Sequence, residues 1–209
     1  MTAALFIDRD GTLVEPRHYP SRPDDLVLYP GVPPLLRRLR GAGFKLVVIT
    51  NQSGLARGLF TEDDLGRMHD HLRAELARDG VSIDAIYFCP HHTEGVESEL
   101  AVACSCRKPA PGMLLRAASD LGVDLSTSWF LGDILDDVEA GNCAGCRTIL
   151  VDIGTEDAPA APVRRPTAVA RDTVEALAIV AAEAGLIPAP AAYLPDRWLA
   201  VAERGFDGR

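Results

Sequence analysis

Three short apolar runs in this chain each stop abruptly at a polar residue, and that repeated arrest constrains the fold more than any other feature. Leu5-Phe6-Ile7 ends at Asp8, Leu46-Val47-Val48-Ile49 at Thr50, and Trp129-Phe130-Leu131 at Gly132-Asp133. A run without polar interruption describes a strand covered on both faces, as in a parallel sheet, rather than a half-exposed alternating strand. Parallel strands need crossovers, and helical patterns lie between the runs. The alternation predicts a doubly wound parallel α/β sheet, whose C-terminal edge opens into the crevice where ligands bind. Asp8, Thr50 and Asp133 are therefore expected to leave one edge.

The remaining elements fill in this plan. Residues 15–29 are polar and proline-rich and are expected to form a long loop, of a length that tends to be functional. Pro33 and Pro34 suit the first turn of a helix carrying Leu35, Leu36 and Leu39, ended by Gly41 and Gly43. Thr61 is an N-cap with Asp64 at the capping-box position, and Leu65, Met68, Leu72 and Leu76 form a helical stripe. His69 and His71 flank that stripe and are expected to face solvent. Strands are predicted at 85–88 and 148–151, a helix at 112–121, and an edge strand at 167–170 followed by a helix capped by Asp172. One domain is expected over residues 1–185, with 186–209 as an accessory tail that carries a short helix around Trp198.

Composition narrows the function. The 209 residues are 47% hydrophobic, and no run approaches the ~18 apolar residues of a membrane helix. The first residues lack the basic-then-apolar pattern of a secretion signal, so a cytoplasmic location is expected. A formal charge of -9 disfavours a nucleic-acid partner bound by counterion release.

Asp10 lies two residues beyond Asp8 and leans to the same side before Asp10-Gly11 turns the chain. Two carboxylates in one small mouth repel unless a cation joins them or one takes a proton, which suits a hard metal or acid/base chemistry. Taken alone, D-x-D-G reads equally as a surface turn. Presented with a phosphomonoester, Asp8 could attack phosphorus, and Asp10 could protonate the leaving oxygen and then activate water. Mg²⁺ held by Asp8, the Asp10 carbonyl and Asp133 could balance the charge, while Thr50 and Lys108 reach the phosphoryl oxygens.

Together Asp8-Arg9-Asp10-Gly11-Thr12, Thr50-Asn51-Gln52-Ser53-Gly54, Arg107-Lys108-Pro109 and Gly132-Asp133 with Asp137 resemble the four ordered motifs of haloacid dehalogenase-type phosphatases. The resemblance implies an aspartyl-phosphate on Asp8, Mg²⁺ as cofactor, Asp137 in support of Asp133, and substrate contacts from Asn51, Gln52, Ser53 and Arg107. The gaps between motifs leave no room for a separate cap domain.

Cys89, His91, Cys104 and Cys106 offer three thiolates and an imidazole in two pairs, a closed set that suits structural Zn²⁺. His92 is the alternative imidazole. Free thiols in a surface loop are the plainer reading, because cytosolic cysteines need bind nothing. Cys143 and Cys146 are expected to be small, partly buried residues.

The long gap from His91 to Cys104, with the stretch 51–58, is similar to the heptose 1,7-bisphosphate phosphatases; histidinol-phosphate phosphatases are similar to a form with a shorter loop. That resemblance implies loss of the C7 phosphate from D-glycero-D-manno-heptose 1,7-bisphosphate, with Tyr19 retained in the loop that binds sugar. Pro16 stands where those enzymes tend to place an acidic residue, and Ile134 where they commonly have Lys. A small phosphorylated substrate and a monomeric protein are expected. Another small phosphomonoester, a 3'-phosphorylated nucleic acid and a non-enzymatic scaffold are the other readings.

Overall fold

The computed structural model describes residues 2–198. Six parallel strands form one sheet in the order β3-β2-β1-β4-β5-β6: β1 Ala4–Ile7, β2 Lys45–Asn51, β3 Ala85–Cys89, β4 Trp129–Gly132, β5 Arg147–Val151 and β6 Ala168–Ala170. Alternate residues of the central strands feed opposite faces, as the two-residue period of a strand requires. Leu5, Ile7, Leu46, Val48 and Leu131 pack with α1 (Val32–Gly41), α2 (Glu62–Arg78) and α5 (Thr173–Glu183) through Leu36, Leu39, Leu65, Met68, Leu72, Leu177 and Val180. Ala4, Phe6, Val47, Ile49 and Phe130 pack on the other face with α3 (Gly112–Leu121) and α4 (Leu135–Ala144). Each large aliphatic side chain buried this way contributes roughly 1.5–3 kcal/mol, which fixes the register in which the strand ends line up.

The expected helix signals operate. The Thr61 hydroxyl accepts from the Asp64 N–H while Asp64 accepts from the Thr61 N–H, a capping box worth about 1 kcal/mol. Asp172 caps α5 through the Glu175 N–H. The loop after β1 is less irregular than expected, with one 3-10 turn at Pro23–Asp25 and a bridge from Val14 to Leu28.

His69 corrects the reading of α2. It is buried rather than solvent-facing, and His71 is half-buried. Position 69 lies four residues after Leu65 and three before Leu72, so it belongs to the apolar stripe rather than to its flank. Cys143 is exposed rather than partly buried, while Cys146 is buried.

Strand order reverses direction between β1 and β4, and an α/β sheet opens its ligand crevice at such a switch point. Asp8 and Asp133 follow those two strands. No separate domain interrupts the described residues; the two longest connections are residues 8–31 between β1 and α1 and the cysteine loop, residues 90–111, between β3 and α3. The segment after α5 packs along β6: Tyr193 bridges Val169 and donates to Asp152 at 2.8 Å, Arg197 pairs with Asp152, and Trp198 is buried beside Leu150 and Val169. Of the helix expected around Trp198, residues 196–198 are helical, and residues 199–209 lie outside the described residues. No helix is long and apolar enough to cross a membrane among the described residues.

Candidate active site

At the switch point the chain assembles a buried group of charges. The Lys108 ammonium, 3% exposed, lies 2.6 Å from Asp8 Oδ1 and 2.5 Å from Asp137 Oδ1 and donates to the Ile49 carbonyl at 3.3 Å. Asp133 Oδ1 accepts from the Thr12 hydroxyl at 3.0 Å. Carboxylate oxygens of Asp8, Asp133 and Asp137 all lie within 4.8 Å of one another. Two glycines permit this crowding. A Cβ on Gly11, whose φ is +88°, would meet Asp133 Oδ2 at 2.5 Å, and one on Gly132 would meet Asp137 Cβ at 2.2 Å.

Three carboxylates against one ammonium leave negative charge out of balance. Burial, only partly opposed by Lys108, pushes the Asp8 carboxyl well above the usual range; its acidic neighbours add to the rise. Asp133 is pushed up to about 7 by burial and by Asp137. Lys108 stays charged, because Asp137 and Asp8 outweigh the burial that disfavours its ammonium. Buried oxygens converging with excess negative charge fit a hard divalent cation.

Asp10 is held apart from that group. Its carboxylate accepts Arg9 Nη2 at 2.8 Å, Arg9 Nε at 3.1 Å and Gln52 Nε2 at 3.0 Å. The Gln52 amide also donates to Thr50 Oγ1 at 2.7 Å, which leaves the Thr50 hydroxyl hydrogen free to donate elsewhere. Asn51 clamps the neighbouring segment with both ends of its amide, Nδ2 to the Lys108 carbonyl at 3.2 Å and Oδ1 to the Lys108 N–H at 3.1 Å. Asn51, Gln52 and Ser53 line a cavity of about 230 Å³ together with Asp10, Arg17, His18 and Tyr19. Tyr19 has a φ of +49°, unusual for a residue with a Cβ. Asp136, beside Asp137 in sequence, points away and pairs with Arg164.

The structure thus brings Asp8, Lys108 and Asp137 into direct contact, places a carboxylate oxygen of Asp133 within 4.8 Å of those of Asp8 and Asp137, sets Thr50 and Asp10 beside them through Gln52, and leaves Tyr19 and Ser53 on the rim. The sequence reading gave no role to Arg9 or Thr12 and expected His69 to face solvent. An arginine between two aspartates, directly after an uninterrupted apolar run, was the available signal. An apolar cavity of about 570 Å³ between β6, α5 and the tail lies elsewhere and is lined largely by Ala and Pro side chains.

Cys89, His91, Cys104 and Cys106 form a second group whose ligand atoms lie within 4.8 Å of one another. Their sulfurs are 3.2–3.6 Å apart, too far for a disulfide. His91 Nδ1 lies 3.6 Å from Cys89 Sγ and 3.3 Å from Cys106 Sγ. Four Zn²⁺ ligands at ~2.3 Å would stand roughly 3.8 Å apart at the corners of a tetrahedron, so this set fits such an ion. His92 turns instead to Arg57, 3.1 Å from its Nη2. Arg107 reaches back from the loop to the His91 carbonyl at 3.4 Å.

Comparison with known proteins agrees with this geometry. Residues 105–176 match the HAD-hydrolase-like family. The chain is 43% identical over 152 residues to a D-glycero-β-D-manno-heptose-1,7-bisphosphate 7-phosphatase of Yersinia pestis, covering 72% of this chain and 81% of that one. It is 44% identical over 161 residues to the Pasteurella multocida protein of the same name, covering 75% and 87%. Among solved structures, a D,D-heptose 1,7-bisphosphate phosphatase from B. bronchiseptica, complexed with magnesium and phosphate, has a TM-score of 0.74 at 33% identity, over 87% of this chain and 99% of that one.

Proposed function

Because this chain belongs to the D-glycero-β-D-manno-heptose-1,7-bisphosphate 7-phosphatase family of HAD-like phosphatases, we propose that it hydrolyses the C7 phosphate of that heptose bisphosphate through an aspartyl-phosphate on Asp8. The observation that carries the reading is the buried contact of Lys108 with Asp8 and Asp137, one turn of chain from Asp133. An ammonium against a carboxylate nucleophile steadies it without bonding to it covalently, and the same ammonium can meet phosphoryl oxygens as they gain charge.

In the first step an Asp8 oxygen forms a bond to phosphorus, the ester P–O bond breaks, and its electron pair leaves on the sugar oxygen, which takes a proton from Asp10. In the second, water gives a proton back to Asp10 as its oxygen attacks phosphorus, and the Asp8–phosphorus bond breaks. The Thr50 hydroxyl, with its oxygen already occupied by Gln52, donates to the phosphoryl group. Asp8, Asp133 and the Asp10 carbonyl would hold Mg²⁺, with Asp137 in support, and the ion would supply charge neutralisation that lets a carboxylate approach a phosphate dianion. The four residues Cys89, His91, Cys104 and Cys106 would hold Zn²⁺, and in doing so would fix the loop carrying Arg107 and Lys108. Tyr19, Asn51, Ser53 and Arg107 contact the substrate on this reading, and the protein works as a cytoplasmic monomer.

A phosphate-release panel tests the proposal, with heptose 1,7-bisphosphate, histidinol phosphate, hexose phosphates and a 3'-phosphorylated oligonucleotide, each with and without Mg²⁺. The heptose bisphosphate is expected to give the highest kcat/KM, and only with Mg²⁺. Preference for another compound would overturn the substrate, and no release from any would overturn the activity.

A further inference from the structure

Arg9 is 0% exposed and has the largest side chain so enclosed. In the turn that follows β1, its side chain enters the face covered by α2, where it meets His69, and its guanidinium grips the carboxylate of its own neighbour. Two of its nitrogens reach Asp10, at 2.8 and 3.1 Å, and the third, Nη1, lies 3.4 Å from Nε2 of His69. His69 is held neutral by its burial and by Arg9 and Arg73, which push its pKa down to about 3. A neutral ring can turn an unprotonated nitrogen to the guanidinium. A second fixed donor, Gln52, completes the carboxylate's surroundings.

We propose that Arg9, braced by His69 from α2, is a positioning residue that fixes the Asp10 carboxylate for its proton transfers. Burying a guanidinium costs several kcal/mol unless its donors are matched, and the match here is spent on a group with a chemical task rather than on the core. The fork of an arginine fixes both the place and the plane of a carboxylate, which a lysine ammonium cannot do. His69 stops the guanidinium from rotating about its long side chain.

The inference rests on Asp10 as the acid and base of the proposed reaction, and leaving-group chemistry isolates it. A sugar alkoxide needs a proton to depart, whereas p-nitrophenolate does not. kcat/KM covers the steps through formation of the phosphoenzyme, so a misplaced Asp10 slows an alkyl phosphate far more than p-nitrophenyl phosphate. The experiment compares Arg9→Lys, His69→Leu and His69→Gln with the parent enzyme on its best sugar phosphate and on p-nitrophenyl phosphate, after thermal melts establish which variants fold. In Arg9→Lys the sugar-phosphate kcat/KM is expected to fall about 100-fold, and the sugar-to-aryl ratio at least about tenfold. His69→Leu should lower the same ratio, and His69→Gln, whose amide oxygen can accept from Nη1, should recover most of it. If Arg9→Lys fails to fold, the His69 pair decides. A ratio that falls less than about tenfold in Arg9→Lys, or equally in the two His69 variants, overturns the inference. Asp8→Asn separates this from the reading beneath it: activity surviving there defeats the aspartyl-phosphate itself, whatever Arg9 does.

Discussion

Replacing Lys108 by Met removes a charge while keeping an unbranched side chain of similar length, so it tests the electrostatics of the site with little change in volume. The ammonium is 3% exposed and lies 2.6 Å from Asp8 and 2.5 Å from Asp137. Removing one partner of such a buried pair costs about 3–5 kcal/mol, because the remaining carboxylates cannot recover water. That cost depends on pH in a definite direction. The folded-state pKa values of Asp8 and Asp133 are raised, the latter to about 7, so each favours folding in its protonated form and penalises the fold as pH climbs from the unfolded carboxylate range. Lys108 opposes both rises. Without it the Asp133 pKa moves above about 7, and every further unit adds about 1.4 kcal/mol of penalty that is felt above pH ~7 and absent near pH ~5, while the rise at Asp8 acts in the same direction. Urea unfolding of parent and variant without added Mg²⁺ should show a loss at least about 1.4 kcal/mol larger near pH 8 than near pH 5.5. Excess Mg²⁺ should reduce the loss at the higher pH. An equal loss at both, or one under about 1 kcal/mol, would refute the reasoning.

Other expectations follow from the same geometry. His69 has a folded pKa of about 3, below its unfolded value near 6.5, so its contribution is present above pH ~6.5 and lost as pH falls; near pH 5 about 2 kcal/mol should be gone, and His69→Gln should flatten that part of the urea-derived stability profile. Cys104→Ser should lower both the zinc content measured by mass spectrometry and the turnover while far-UV circular dichroism stays native; full activity in zinc-free protein would contradict the role given to the loop. Asp137→Asn should lower kcat at least about tenfold, because it loosens Lys108, whereas Asp136→Asn, which removes only a half-exposed pair with Arg164, should stay within about twofold of the parent.

Much of this arrangement was legible in the chain because it depends on local patterns. Uninterrupted apolar runs ending in Asp8, Thr50 and Asp133 identify strands and their C-terminal edge together, and the paired spacing of Cys89, His91, Cys104 and Cys106 announces the cluster that these four side chains form. What escaped depends on contacts between distant residues. Nothing near Lys108 in sequence says that its ammonium settles between Asp8 and Asp137, a contact made only when β1, β2 and β4 are aligned. His69 escaped because a polar residue on a leucine stripe looks like the edge of the stripe, and only the buried Arg9 across from it explains why a histidine is tolerated there. The packing of Arg197 and Trp198 onto Asp152 and Leu150 likewise has no local signature in a tail broken by Pro188, Pro190 and Pro195.

The central claim is that phosphate passes through a covalent bond to the side chain of Asp8. Acid-quenching the enzyme during turnover, reducing it with borohydride and sequencing the peptides by mass spectrometry tests this directly, since an acyl phosphate is reduced to an alcohol and an ordinary carboxylate is not. Homoserine should appear at position 8, should require substrate and Mg²⁺, and should be absent at position 10. Steady phosphate release with an unmodified Asp8 in every quenched sample would contradict the account.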